Sequence, residues 1–168
     1  MPSPMNRLDH FVWVVEPENI KKYVDQLSDL FEIKFDFRDG PRSDGTPLQT
    51  YVCWDAGLEI IAPFADPVAK PIADHPVAQR LAAFLEEKGE GPFGVVIRVP
   101  DMQATNERAK KLGWQVDAVA PHLADKATRQ AVHAAWTSRI LDIQETFLGK
   151  FLNTMLIVGE FEYPDDEK

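Results

Sequence analysis

His10 sits in an apolar stretch, LDHFVWVV over residues 8–15, and Glu59 lies between Leu58 and Ile60 in LEIIAPF. A histidine on such a strand is either a hydrogen-bonded core residue or a ligand. A carboxylate facing inward from an apolar strand needs a cation, a metal or a proton beside it. Facing outward it is a solvated charge, and Leu58 and Ile60 are then the core. If His10 faces a cleft, strand alternation puts Gly94, Val96 and Arg98 of FGVVIRV on the matching face of a second strand. Arg98 is suited there to anchoring an anionic substrate, or at a sheet rim to an ion pair. Glu145, in ILDIQETF, is a candidate acid or base on a neighbouring strand. Cys53, the only cysteine, lies in TYVCW and reads as a small buried hydrophobe rather than a reactive thiol.

These side chains need elements to hold them. Residues 8–15 form a β-branched and aromatic run of strand length, and Pro17 follows it. Ile20, Tyr23, Val24, Leu27, Leu30 and Phe31 then recur at helical spacing and make one apolar stripe. IKFDF (33–37) alternates as a strand, GPRSDGTP (40–47) is turn chemistry, and LQTYVCWD and LEIIAPF are two further strands. A proline-rich connector, ADPVAKPIADHP, leads to a short helix carrying Val77, Leu81, Phe84 and Leu85 and stopped by Gly89.

The first pattern then starts again. FGVVIRV is a buried-type strand, Asp101 a helix N-cap, MQATNERAKKLG a helix ended by Gly113, and WQVDAVA a strand. SRILDIQETF and FLNTMLIVGEFEY supply the last two strands. This predicts an α+β fold of two βαβββ modules within a single domain, 1–168: a first module over 7–65, a connector and helix over 66–91, and a second module over 92–163. Extra residues at 121–136 form either a helix or a lid-like loop.

Composition narrows the functional classes. The 168 residues are 45% hydrophobic and 27% charged, ordinary values for a globular protein. The net charge of -9, with no long basic run, argues against a nucleic-acid partner or an anionic membrane surface. No apolar run is long enough to span a bilayer. One cysteine permits no internal disulfide and fits a reducing cytoplasm.

LDHFVWVV, GLEIIAP and FLEEKGEG…VVIRVPD running into LGWQV resemble the vicinal oxygen chelate superfamily, which includes glyoxalase I, bleomycin-resistance proteins and extradiol dioxygenases. The resemblance is closest to the methylmalonyl-CoA epimerase branch and covers most of residues 8–117. It implies curved mixed sheets around a cleft that holds one divalent metal (Zn, Ni, Co, Mn or Fe). Carried over by position, His10 and Glu59 are metal ligands. The third position falls on Gly94, beside Phe93, and the fourth on Val158 or Glu160, so the site is degenerate. Glu160 is then a ligand or a catalytic base, Glu145 a second catalytic candidate, and Arg98, Phe93 and Gly94 line the substrate. A missing imidazole at Gly94 implies space there, filled by water, by Phe93 or by the 121–136 segment, where His122 and His133 are possible replacement donors. Replacing Gly94 with histidine is expected to restore a donor.

Two functions follow from the resemblance. One is a glyoxalase-like, metal-dependent lyase or isomerase acting on a small oxygen-rich acid, ketone or thioester. The other is a metal-free small-molecule binding protein of the bleomycin-resistance kind. A homodimer is expected in both.

Overall fold

The structure is a computed structural model and describes residues 6–164. Among these the chain forms eight strands and five α-helices in an α+β arrangement. It divides into two compact units, one of residues 11–93, the other of the residues up to His10 together with those from Gly94 onward.

The 11–93 unit runs from the later half of β1 (Arg7–Val14) through α1 (Ile20–Phe31), β2 (Asp36–Asp39), a single helical turn α2 (Gly40–Ser43), β3 (Leu48–Cys53), β4 (Leu58–Pro63) and α3 (Pro76–Lys88) to the start of β5 (Gly91–Arg98). Its strand order is β2-β3-β4-β1, with β1 parallel to β4 and the other pairs antiparallel. The apolar stripe of α1 explains the packing. Ile20 and Val24 are buried with Val15, Ile60 and Ala62, and Trp13, Tyr23, Leu27, Phe35 and Tyr51 close over them. Burying each such aliphatic side chain stabilises by about 1.5–3 kcal/mol, so Val24→Asp would detach the helix. The stripe outruns its partner, because Leu30 and Phe31 at its end are exposed. The helix ends at Glu32, whose backbone turns left-handed at φ 54°.

On α3, Val77, Ala78, Leu81 and Leu85 are buried, and the Phe84 ring meets Phe93 edge-on at 5.4 Å. The His75 side chain caps its first turn by accepting from the backbone N–H of Ala78 at 3.3 Å.

The other unit contains β5 (Gly91–Arg98), α4 (Met102–Lys111), β6 (Asp117–Ala118), α5 (Lys126–Ala134), β7 (Asp142–Phe151) and β8 (Thr154–Glu162), in the strand order β5-β8-β7-β6. The βαβββ order therefore repeats. Asp101 caps α4, its carboxylate accepting from the N–H of Ala104 at 2.8 Å. Val99, Ala109, Leu148 and Val158 form the core beneath α4, joined by Ile97, Met102, Trp114, Val116 and Leu156. The 121–136 segment carries α5. Arg129 anchors that helix to β7 through paired bonds of 2.7 and 2.8 Å to Asp142, and also donates to the carbonyls of Leu123 and Ala124.

WQVDAVA contributes only the two residues of β6, and the second strand begins at Asp36 rather than Ile33. No helix among the described residues is long and apolar enough to cross a membrane.

Candidate functional site

Alternation along the strands of the C-terminal unit separates two faces. Ile97, Val99, Leu156 and Val158 pack in the core with α4. Gly94, Val96 and Arg98 therefore share the opposite face of β5, and Ile157, Gly159 and Phe161 that of β8. Arg98 stands level with Gly159, and Gly159 level with Glu145 on β7.

A charged network occupies this face. Oδ1 of Asp9 lies 2.8 Å from His10 Nδ1, and Oδ2 accepts from Arg98 Nε at 2.9 Å. Arg98 Nη2 also donates to the Tyr163 hydroxyl at 2.6 Å, and that hydroxyl donates to Asp9 Oδ2 at 3.2 Å. The guanidinium lies over two rings, 4.1 Å from the Tyr163 centroid and 5.6 Å from that of Phe161. The same Phe161 ring meets the His10 imidazole edge-on at 6.2 Å.

The charges in this network are fixed by their partners. Burial pushes the Asp9 carboxyl up, but the hydrogen bonds and charges of His10 and Arg98 outweigh it and hold the group below the usual carboxylate value. Burial, reinforced by the Asp9 charge, pushes the Tyr163 phenol up, so it stays protonated. An ionised Asp9 only accepts, so His10 Nδ1 carries a proton toward it. On Arg98, Nε and Nη2 are engaged. Nη1 makes no hydrogen bond among the described residues, on a side chain that is 22% exposed.

Two glycines shape the same face. A Cβ at Gly159 would fall 2.4 Å from the Phe161 ring and 3.2 Å from Cγ of Glu145, so a side chain there would displace both. Glu145 is thus held over Gly159, on the Arg98 side of the sheet. A Cβ at Gly94 would fall 2.7 Å from the carbonyl oxygen of Met155. The expected space at Gly94 is absent: the neighbouring strand's backbone fills it.

The remaining candidates lie elsewhere. Val158 and Glu160 share a strand face, and it is the α4 face. Glu160 is exposed, and its Oε2 accepts from the backbone N–H of Met102 at 2.9 Å, at the start of α4. In the 11–93 unit, Glu59 is half-buried and level with Val12, on the face of β4 opposite Ile60 and therefore away from α1. Phe93 is 6% exposed and part of the α3 packing. Cys53 is buried. His122 is exposed, whereas His133 is buried on α5 with its ring 6.3 Å from that of Trp136.

No family model matches the chain, and no curated protein matches it in sequence. Solved structures match along nearly its whole length. A hypothetical protein from Bacillus halodurans C-125 aligns with TM-score 0.61 at 18% identity, covering 95% of this chain and 96% of that one. The methylmalonyl-CoA epimerase of Mycobacterium tuberculosis aligns with TM-score 0.58 at 16% identity, covering 95% and 90%. A variant of the Streptomyces coelicolor methylmalonyl-CoA epimerase, in complex with 2-nitronate-propionyl-CoA, gives TM-score 0.59 at 12% identity, covering 94% and 98%.

The fold is that of the vicinal oxygen chelate proteins. The resemblance read from the sequence implies a divalent metal, and the residues of this chain can be tested against one. Gly94 offers no donor, Val158 none, and the Glu160 carboxylate is committed to the outer side at α4. Among the described residues, no group of three or more His, Cys, Asp or Glu side chains is gathered closely enough to hold a metal ion. This donor set does not fit a resident divalent metal. What this face holds instead is Arg98, fixed by Asp9 and Tyr163 and lying over the Phe161 and Tyr163 rings.

Reading the sequence alone misses Asp9, Phe161 and Tyr163. Asp9 is adjacent to His10, and an acidic neighbour of a singled-out histidine is a usable signal. Phe161 and Tyr163 stand at alternating positions at the end of FLNTMLIVGEFEY, a usable signal of a shared face.

Proposed function

We propose that the protein is a metal-free, small-molecule binding member of the vicinal oxygen chelate fold, and that it takes the oxygen-rich acidic end of its ligand at Arg98. The observation that carries this is the state of the guanidinium. Asp9 and Tyr163 fix it, two rings support it, and Nη1 is left for an incoming anionic oxygen. Phe161 and Tyr163 form the apolar part of the same surface. The structurally similar epimerases, one of them in complex with a propionyl-CoA nitronate, support a small acid or its thioester as the ligand class.

The test is calorimetric titration of methylmalonate into chelator-treated protein, repeated after adding zinc. Saturable binding with the same Kd in both conditions supports the proposal. Binding that appears only with zinc overturns it and restores the metal-dependent reading, with His10, Glu59 and Glu160 as the ligands to mutate.

A second reading, isomerase or lyase chemistry, is favoured by one observation. Asp9 orients the His10 imidazole through Nδ1, the support that a histidine acid or base needs, and Glu145 would supply the carboxylate. Incorporation of solvent deuterium into methylmalonyl-CoA, followed by mass spectrometry, decides it. No incorporation above the uncatalysed rate removes the enzymatic reading.

A further inference from the structure

The 11–93 unit contains a cavity of about 340 Å³ between α1 and the sheet, which shares no lining residue with the Arg98 network. Trp13, Tyr23, Leu27 and Ile60 contribute to its walls, and Glu90, just past the Gly89 that stops α3, adds a carboxylate. Its size lies at the low end of small-ligand sites, and its walls are mainly apolar with one convergent charge.

The Glu90 carboxylate is built in. Its Oε1 accepts from the backbone N–H of Glu16 at 3.0 Å and from Asn19 Nδ2 at 2.9 Å, while Oε2 accepts from the Tyr23 hydroxyl at 2.6 Å. Each carboxylate oxygen has two acceptor sites, so Oε1 is filled and Oε2 keeps one. Burial pushes this carboxyl up, but the bonds from Tyr23, Asn19 and Glu16 outweigh it, and the group is an anion at neutral pH. The cation that acts on it is Lys22, an exposed side chain whose Nζ lies 5.3 Å from the Tyr23 ring centroid.

We propose that this cavity binds a small primary amine with an aromatic or branched apolar body, the ammonium donating to Glu90 Oε2 and the body lying against Trp13, Leu27 and Ile60. A protonated amine satisfies the remaining acceptor site and meets the negative charge. Apolar burial against Trp13, Leu27 and Ile60 supplies the rest of the affinity. A neutral ligand of the same shape lacks the charge attraction, and an anionic one is repelled by the carboxylate as well.

The probe is 2-phenylethylamine, titrated into the full chain and followed by the NMR signals of the Trp13 and Tyr23 rings, with 3-phenylpropionate as the control of opposite charge. The expected result is saturable binding of the amine, no comparable binding of the acid, and at least about ten-fold weaker binding in Glu90→Gln, which keeps an acceptor for Glu16 and Asn19. Leu27→Trp fills the cavity without altering the Glu90 bonds and should abolish amine binding. Should Glu90→Gln fail to fold, Leu27→Trp decides alone. Three results overturn the proposal: no saturable shift in the wild type, equal binding of the acid, or unchanged amine affinity in either variant that folds.

Discussion

Asp9 Oδ2 accepts from Nε of Arg98 at 2.9 Å and stands 2.8 Å from Nη2, while the other carboxylate oxygen of Asp9 holds His10. The Asp9 side chain is 5% exposed and that of Arg98 22%. One carboxylate therefore orients both Arg98 and His10. Removing it leaves a largely buried guanidinium without its counter-charge, and we expect Asp9→Ala to cost about 2–4 kcal/mol in chemical denaturation. A loss below about 0.5 kcal/mol would show that the network contributes little to stability.

The same carboxylate gives an acid response. Burial raises its pKa, the contacts with His10 and Arg98 lower it further, and the folded value ends below the ordinary 3.8. A depressed folded value means that the stabilisation is complete above the ordinary pKa and is lost as the pH falls toward the folded one. Below about pH 4 the wild type should lose stability more steeply than Asp9→Asn. Parallel pH profiles for the two proteins would contradict this.

Gly94 is required by packing rather than left over from a missing ligand. With Met155 O 2.7 Å from the position a Cβ would take, Gly94→Ala should lower stability by about 1–3 kcal/mol. Gly94→His should be at least as destabilised and should bind zinc no more tightly than the wild type. Thermal unfolding and a competitive zinc titration test both statements. A stable histidine variant with tighter zinc binding would reverse the reading.

Glu160 is a helix cap in this structure. Its removal in Glu160→Ala frees the Met102 N–H and should cost about 1 kcal/mol. Methylmalonate affinity should stay within about two-fold of wild type, a change of under about 0.5 kcal/mol, since Glu160 lies on the α4 face and Arg98 on the other. A larger loss of affinity would place Glu160 at the ligand instead.

Arg129 makes its two bonds to Asp142 with both side chains 8% exposed. Arg129→Ala should destabilise by about 3–5 kcal/mol by leaving a buried carboxylate unpaired. Arg129→Lys should recover little of this, because a single ammonium cannot reproduce the paired geometry or reach the two carbonyls as well. Denaturation midpoints of the two variants check the comparison. Full recovery by lysine would show that charge alone holds α5.

Much of the fold is legible where periodicity is strong. The stripe from Ile20 to Leu27 places α1, Asp101 and Gly113 bracket α4, and the apolar runs place β1 and β5. The short strands are less so, because pairing decides their ends. β6 extends only as far as Asp117 and Ala118 find partners in Phe147 and Thr146.

The site was legible in its residue types more than in its geometry. Met155, Leu156, Ile157 and Val158 are apolar on both faces of β8, so alternation could not tell which face Glu160 shares. Packing of Leu156 and Val158 beneath α4 settles it. The absent donor at Gly94 is visible in the sequence, but the close approach of Met155 is not. The bond between Asp9 and Tyr163 joins residues 154 apart, a contact that only the folded chain creates.

The account rests on Arg98 receiving an anionic oxygen without a metal. The most direct measurement is the calorimetric affinity of methylmalonate, in chelator, for the wild type and for Arg98→Gln made together with Asp9→Asn, so that no buried charge is stranded. A charged hydrogen bond of about 1.5–3 kcal/mol predicts a loss of about ten-fold or more in the double variant. Equal affinity in the two folded proteins would contradict the assignment of Arg98 as the ligand anchor.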